Sequence, residues 1–183
     1  SDPRYFRPAT LNDAFDLLEE WGDRAKLLAG GTDLLIVLRR GLIHPAAVID
    51  ITRIEGLREI CMRDGYVVIG ALVTHNRIRN SAAMAEWAPL LMKACREVGS
   101  PQIRNLGTIG GNLGNASPAG DTIPVLYALD AEICLSGRSG QRWVAAPAFF
   151  TGPGKTVRRP DELITEVRFR PLAANERGFF EKI

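Results

Sequence analysis

Residues 107–121 constrain the fold of this chain more than any other segment. They read Gly-Thr-Ile-Gly-Gly-Asn-Leu-Gly-Asn-Ala-Ser-Pro-Ala-Gly-Asp, with five of the chain's 18 glycines and no basic side chain. Glycine lets a backbone approach a ligand closely, and consecutive main-chain N–H groups can bind an anion without cationic side chains. We therefore predict that this segment is a long loop with exposed N–H groups that binds a phosphate chain.

A shorter glycine segment lies upstream, at residues 27–34, and reads Leu-Leu-Ala-Gly-Gly-Thr-Asp-Leu. A single Gly-Gly pair is usually only a tight turn. In the longer segment, however, four polar residues stand between the glycines, more than a structural turn requires; they are Thr108, Asn112, Asn115 and Ser117. Two glycine segments in one small chain predict a pyrophosphate that is bound from two sides.

Two common phosphate-binding motifs are excluded by their spacing. Residues 152–156 end in Gly-Lys-Thr, as a P-loop does, but Phe149 occupies the position of the first glycine of that motif. Neither glycine segment has the Gly-x-Gly-x-x-Gly spacing of a Rossmann fold. A dinucleotide ligand is still compatible with the sequence, on a different scaffold.

Side chains that could perform catalysis or bind a metal are scarce. His44 and His75 are the two histidines, and the sequence has neither a Cys-x-x-Cys nor a Gly-x-Ser-x-Gly motif. We expect no catalytic residue and no metal ligand in this chain, so that any redox chemistry belongs to a cofactor. Cys61, Cys95 and Cys134 are far apart in apolar surroundings, and we predict that they are buried free thiols.

Composition and charge are those of an ordinary globular protein. Of the 183 residues, 46% are hydrophobic, and 23 basic against 21 acidic side chains leave a net charge of +2, which argues against nucleic-acid binding. No apolar stretch approaches the roughly 20 residues of a transmembrane helix, and no secretory signal is visible. We predict a cytoplasmic protein without a membrane span.

Local patterns predict an α+β fold in which helices and strands alternate irregularly. The predicted helices comprise residues 9–21, 34–40, 74–80, 89–98 and 121–129, the last of them capped by Asp121. The predicted strands comprise residues 26–29, 47–50, 60–62, 66–70, 131–135, 141–144 and 162–169, with a further strand that begins at residue 178. An Asp-Gly pair at residues 64–65 predicts a hairpin turn. Residues 1–50 and 51–183 are predicted to form two lobes with one glycine segment each.

The two glycine segments resemble motifs of a known family. Residues 29–34 and 108–112, continued by residues 115–121, are similar to the two FAD-binding motifs of the molybdenum hydroxylases. That family includes the flavin subunits or domains of xanthine dehydrogenases, carbon monoxide dehydrogenases and aromatic hydroxylating dehydrogenases. Further similar segments are residues 69–71 with Thr74, residues 149–152 with residues 155–156, and residues 179–183. The resemblance therefore extends over nearly the whole chain.

The resemblance implies a two-lobed α+β FAD-binding domain similar to that of vanillyl-alcohol oxidase. The FAD-binding residues that it implies are Leu27, Leu28, Ala29, Gly30, Gly31, Thr32, Asp33, Leu34, Thr74, Thr108, Ile109, Gly110, Gly111, Asn112, Asn115, Asp121, Ile164 and Lys182. Residues 29–33 and 108–112 are expected to bind the diphosphate. Asp121 is expected to accept a hydrogen bond from a ribityl or ribose hydroxyl, because a carboxylate would repel phosphate. Thr74 is expected near the isoalloxazine or the interface between the lobes.

The activity that the resemblance implies is electron relay. In the family, a large molybdopterin subunit hydroxylates the substrate, and two [2Fe–2S] clusters in a small iron–sulfur subunit carry electrons to FAD, which reduces NAD⁺ or another acceptor. This chain is accordingly expected to be the FAD-binding electron-transfer subunit, with the molybdenum cofactor and the clusters in partner subunits. The family's C-terminal domain is expected to be absent, either because the chain is truncated or because that part is a separate piece.

Two alternative functions stay open at this stage. The chain could be a free-standing FAD-dependent oxidase or dehydrogenase, which would require its own acid–base group near the flavin ring. It could also be an interaction module that kept the scaffold and lost the cofactor. The intact glycine segments argue against the second alternative.

Overall fold

The computed structural model describes residues 2–117, 120–173, 175–179 and 181. Its strands are β1 (Arg4–Phe6), β2 (Ala25–Leu28), β3 (Ala47–Asp50), β4 (Ile60–Arg63), β5 (Tyr66–Gly70), β6 (Glu132–Gly137), β7 (Gly140–Ala145), β8 (Phe150–Gly152), β9 (Lys155–Thr156) and β10 (Leu163–Phe169). Its helices are α1 (Leu11–Trp21), α2 (Leu34–Arg39), α3 (His75–Arg79), α4 (Ala82–Trp87), α5 (Pro89–Glu97), α6 (Pro101–Leu106), α7 (Ile109–Asn115), α8 (Ile123–Ala128) and α9 (Ala146–Phe149).

The first sheet is parallel and has the strand order β1-β3-β2. All four residues of its middle strand, β3, are buried, as is typical of strands within a parallel sheet. Ala47 and Ile49 of β3 share one apolar cluster with Ala14, Phe15 and Leu18 of α1. The sheet and α1 therefore enclose a small core of their own.

Asp50 connects β3 to the N-terminal strand. Its carboxylate accepts hydrogen bonds from the Tyr5 hydroxyl and, at 2.9 and 2.6 Å, from the main-chain and side-chain groups of Thr52. Arg7 Nε lies 3.3 Å from the same carboxylate. Although burial acts to raise it, the hydrogen bonds from Thr52 and Tyr5 hold the pKa of Asp50 below its ordinary value. This network explains the position of β1, a short strand that the sequence did not predict.

The second sheet is antiparallel and has the strand order β4-β5-β10-β6-β7. Asp64 and Gly65 have φ angles of +53° and +78°, so the predicted Asp-Gly hairpin between β4 and β5 is confirmed. The last strand, β10, lies at the centre of the sheet. Its Val167 and Phe169 join a larger core that the helices after β5 cover. Strand β10 thus joins the β4–β5 and β6–β7 pairs into one sheet.

The structure corrects the predicted loop at residues 109–115, which form helix α7. Thr108 caps this helix, and Ile109 and Leu113, four residues apart on one helix face, are fully buried. Burial of that face outweighs the cost of three glycines in a short helix, which is roughly 1 kcal/mol each.

Other corrections concern element ends and short elements. Asp121 does not cap α8, because Thr122 is the residue that precedes its first turn. Residues 178–179 do not belong to a strand, and Lys182, Phe180 and Ile183 lie outside the described residues. The sequence also did not predict α4 and α6, which are six residues long and begin after the caps Ser81 and Ser100.

The cysteine prediction is confirmed in part. All three cysteines are free thiols; Cys95 and Cys134 are buried, whereas Cys61 is only half-buried. Within the described ranges, no helix combines the length and apolar character that crossing a membrane requires.

Candidate functional site

A cleft of about 700 Å³ is lined by residues from both sheets and from the segments that follow their strands. Its volume lies in the range of small-molecule and cofactor sites. The predicted FAD-binding residues that line it are Leu27, Ala29, Gly30, Gly31, Thr32, Asp33, Leu34, Thr108, Gly110, Gly111, Asn112, Asn115, Asp121 and Ile164. Leu28, Thr74 and Ile109 do not line it, and Lys182 lies outside the described residues. The cleft thus brings the two glycine segments together.

The two glycine segments meet through their main chains at Gly30. A Cβ atom at this position would lie 2.0 Å from Leu106 O and 3.1 Å from Gly107 Cα. Real Cβ atoms do not approach a carbonyl oxygen so closely, so only glycine fits here without a shift of one segment. The contact fixes how far apart the two walls of the cleft stand.

The amides at the start of α7 donate hydrogen bonds inside the protein. Those of Ile109, Gly110, Gly111 and Asn112 donate, respectively, to Val73 O, Ala71 O, Thr108 Oγ1 and Thr108 O, at 2.9–3.0 Å. The prediction of exposed N–H groups is therefore wrong for this part of the longer segment. Gly110 instead permits close packing, because a Cβ there would lie 2.7 Å from Ala71 Cβ.

The N–H groups of residues 30–33 in the shorter segment, unlike those at the start of α7, are not used inside the described part of the protein. None of the hydrogen bonds within the described ranges involves the N–H groups of Gly30, Gly31, Thr32 or Asp33, all of which line the cleft. Gly31 has a φ of +74°, which favours glycine. A turn of this kind directs successive N–H groups toward one side and is suited to binding an anion.

Asn112 lines the cleft, and a hydrogen bond from a buried residue holds its side chain in place. Its Oδ1 accepts a hydrogen bond of 2.7 Å from Thr122 Oγ1, and Thr122 is fully buried. This bond engages the carbonyl oxygen of the side-chain amide, so that the Nδ2 amino group is the part that can donate to a ligand. Thr122 therefore determines how Asn112 meets a ligand.

His75 is a cleft residue that the sequence did not indicate. It is 2% exposed, its main-chain N–H donates to Gly107 O at 3.1 Å, and its Nδ1 lies 3.8 Å from Cys95 Sγ. Burial lowers the pKa of His75 to about 4, although the negative charge of Asp121 acts in the opposite direction. Burial also raises the pKa of the Cys95 thiol to about 12. Both groups are therefore uncharged at neutral pH.

Three predicted residues serve the structure around the cleft. Thr74 caps α3, since its Oγ1 accepts from Arg77 N at 3.1 Å, and it forms a β-bridge with Thr108. Ile109 is fully buried in the core, and Leu28 ends β2. Arg158, by contrast, lines the cleft, although nothing in the sequence distinguishes it from its exposed neighbour Arg159.

The fold and the cleft are those of an α+β cofactor-binding domain, and no group of three or more metal-ligating side chains occurs in the described ranges. The sequence profile of the FAD-binding domain in molybdopterin dehydrogenases matches residues 1–171. The chain therefore belongs to this family of FAD-binding domains, which confirms the resemblance carried by the two glycine segments.

Similar proteins of known function are subunits of dehydrogenases. The nicotinate dehydrogenase FAD-subunit of Eubacterium barkeri is 39% identical over 185 aligned positions, which cover 98% of this chain and 62% of that protein. The carbon monoxide dehydrogenase medium chain of Hydrogenophaga pseudoflava is 36% identical over 179 positions, with coverages of 98% and 62%. This chain thus spans about 62% of the length of these relatives.

A solved structure supports the same comparison. Carbon monoxide dehydrogenase from Hydrogenophaga pseudoflava, in a form that lacks the Mo-pyranopterin moiety of the molybdenum cofactor, superposes with a TM-score of 0.92. The sequence identity is 36%, over 95% of this chain and 61% of the other. The fold described here is therefore that of a carbon monoxide dehydrogenase chain over the shared region.

Replacing Gly30 by alanine is expected to destabilise the fold. The new methyl group would overlap Leu106 O, so the two segments must separate, at a cost of roughly 1–3 kcal/mol. Urea unfolding of Gly30→Ala and of the wild type measures the difference. The control is Gly56→Ala, because a Cβ at Gly56 meets nothing within 4 Å, and it should stay within about 0.5 kcal/mol of the wild type. Equal stability of Gly30→Ala and Gly56→Ala would contradict the expectation.

Acidification from pH 7.5 to pH 5 is expected to destabilise the fold through His75. The folded-state pKa of about 4 lies below the ordinary value of 6.5, so the unfolded chain takes up the proton first. Stability that is present above pH 6.5 is therefore lost as the pH falls toward 4. We expect this group to account for about 2 kcal/mol of the loss at pH 5.

Urea unfolding of His75→Gln at both pH values tests this expectation. The variant should lose less unfolding free energy on acidification than the wild type does. His44→Gln, which replaces an exposed histidine, should keep the wild-type pH dependence. A His75→Gln protein with unchanged pH dependence would show that His75 is not the responsible group.

Proposed function

We propose that this chain is the FAD-binding electron-transfer component of a molybdenum hydroxylase complex. The observation that carries the proposal is the meeting of the two glycine segments at Gly30 on the wall of one large cleft. Membership of the family of FAD-binding domains supports FAD as the ligand. Bound FAD would accept electrons from one partner and pass them to another.

The cleft residues fit an extended dinucleotide. The N–H groups of residues 30–33 and the side-chain amide of Asn112 supply donors for phosphate oxygens. Asp121 lines the cleft, and we propose that its carboxylate accepts a hydrogen bond from a ribityl or ribose hydroxyl. Ile164, at the start of the central strand β10, offers an apolar contact.

The role of this chain is to bind and orient the cofactor. Main-chain contacts at Gly30 and Gly110 leave no room for side chains and keep the cleft open for a ligand. Thr122 orients Asn112, and His75 stays uncharged beside Gly107. These features pre-organise a binding site, which lowers the cost of ordering it when a ligand binds.

We propose that the partners are a small iron–sulfur subunit and a large molybdopterin subunit, with NAD⁺ or another final electron acceptor. Two relatives are called an FAD-subunit and a medium chain of dehydrogenases, which favours a subunit role. The three cysteines of this chain are too far apart in sequence to bind a [2Fe–2S] cluster by a compact motif. We also propose a cytoplasmic location for the complex.

We propose that residues 1–50 and 51–183 are two lobes of an FAD-binding domain similar to that of vanillyl-alcohol oxidase. The parallel sheet ends at Asp50, and the antiparallel sheet begins at Ile60. The apolar cluster of the first sheet also includes Ile51, Ile54 and Leu57. Those residues form the side on which the lobes would pack together.

The visible spectrum of the purified chain tests the proposal. After incubation with FAD and removal of free cofactor, the protein is expected to show the absorption bands of a bound flavin. Co-purification with an iron–sulfur polypeptide and a large molybdenum polypeptide would distinguish the electron-transfer subunit from a free-standing oxidase. A folded but colourless protein that cannot be reconstituted with FAD would refute both flavoprotein functions.

Replacing Thr122 by valine is expected to weaken FAD binding by roughly 3- to 10-fold. Valine keeps the shape of threonine but leaves Asn112 Oδ1 without its hydrogen bond, so that the amide can turn away from the ligand. Flavin fluorescence titration measures the dissociation constant. Thr122→Ser retains the hydroxyl and is the control that should bind FAD like the wild type. If Thr122→Val binds as tightly as Thr122→Ser, Thr122 does not orient Asn112.

A further inference from the structure

Arg158 lines the cleft from the turn between β9 and β10. Its Nη1 donates to Arg159 O at 3.0 Å and to Glu162 O at 2.7 Å, and its main-chain N donates to Thr156 Oγ1 at 3.3 Å. One nitrogen of the guanidinium therefore anchors the side chain to its own turn. The other donors of the group, on Nε and Nη2, are not used in these bonds.

The carboxylate of Glu162, which directly precedes β10, is already paired with another cation. Glu162 Oε1 and Oε2 accept from Arg142 Nε and Nη2 at 2.8 and 3.0 Å, and Oε2 also accepts from Arg159 N at 2.9 Å. This fork-to-fork pair holds the turn in place. Within the described ranges, Arg158 has no carboxylate within the 4.0 Å of an ion pair.

Arg158 consequently has no direct counter-ion among the described residues. Burial lowers the pKa of Arg158, while Glu162, Asp23 and Asp161 act at longer range to raise it. A guanidinium nevertheless keeps its proton in proteins, so the cation persists. A half-buried cation without a direct counter-ion is costly, and an anion that enters the cleft would reduce that cost.

The diphosphate is the negatively charged part of FAD near neutral pH. Because the amides at the start of α7 donate inside the protein, that wall supplies few main-chain donors for an anion. Lys26 and Arg158 are the lysine and arginine that line the cleft in the described ranges, and Lys26 is exposed. Arg158 is therefore the better-placed cation for an anionic group inside the cleft.

We propose that Arg158 binds the phosphate oxygens of the dinucleotide through its free Nε and Nη2 donors. The inference rests on the proposed function, since it takes FAD as the ligand. The two FAD-binding motifs of the family lie in the two glycine segments. Arg158 is a charged residue outside them, in the turn after β9. The anchoring bonds of Nη1 hold the fork in one orientation, which favours bidentate recognition.

The test compares Arg158→Gln, Arg158→Lys and Arg159→Gln in the full chain. The last variant is the matched control, because it removes the same charge from the exposed neighbouring side chain. FAD, ADP, adenosine and riboflavin are the probes, since the first two carry a diphosphate and the last two carry none. Calorimetric titration gives the affinity for each probe, and circular dichroism reports whether each variant is folded.

Arg158→Gln is expected to weaken the binding of FAD and ADP by roughly 10- to 100-fold, as for loss of a charge-assisted hydrogen bond. The affinities for adenosine and riboflavin should not change, and Arg159→Gln should behave like the wild type. If Arg158→Gln does not fold, Arg158→Lys decides, because a single ammonium group cannot replace the fork and should still weaken FAD and ADP selectively.

Three outcomes would overturn the inference. Unchanged FAD and ADP affinities in the folded Arg158 variants would show that the guanidinium does not bind the diphosphate. An equal loss for adenosine would place Arg158 at the nucleoside instead. A wild-type chain that binds neither FAD nor ADP would refute the proposed function itself, whereas the first two outcomes leave it intact.

Discussion

The main-chain contact between the two glycine segments is the constraint on which the site depends. At Gly30 the backbone of the first segment lies so close to Leu106 O that even a methyl group does not fit. This contact sets the distance between the two walls of the cleft. One wall is the glycine segment after β2 in the parallel sheet, and the other is the segment just before α7. Elsewhere the same walls diverge into a cleft of about 700 Å³. The close contact at Gly30 and the wider cleft beside it therefore both depend on the absence of a side chain at this one position.

The parts of the fold that the sequence predicted are those with strong local signals. The α1 helix has a Thr10 cap and a periodic apolar face, β3 is a short apolar run, and the β4–β5 hairpin has an Asp-Gly turn. Short elements such as β1 were not predicted, because their stability comes from distant partners. The position of β1 depends on the Tyr5 hydroxyl and Asp50, which are 45 residues apart.

The glycine-rich helix α7 shows why composition alone misled the prediction. Three glycines in seven residues indicate a loop, yet the Thr108 cap and the burial of Ile109 and Leu113 make this segment a helix. The spacing of those two apolar residues was the available signal. Arg158 and His75 could not be found in the same way, since their place in the cleft depends on long-range contacts. Arg158 lines the cleft from the turn that precedes β10, the central strand of its sheet.

Shape and charge are contributed by different parts of this cleft. Gly30 and Gly110 determine its shape, because their close contacts exclude side chains, while the amides at the start of α7 are satisfied within the protein. Positive charge comes instead from side chains such as Arg158, whose guanidinium is not deprotonated in proteins, and the N–H groups of residues 30–33 add partial positive charge. His75 contributes no charge above its pKa of about 4. The charge that an anion meets in the cleft near neutral pH therefore does not depend on the protonation of His75, although this side chain is part of the cleft wall.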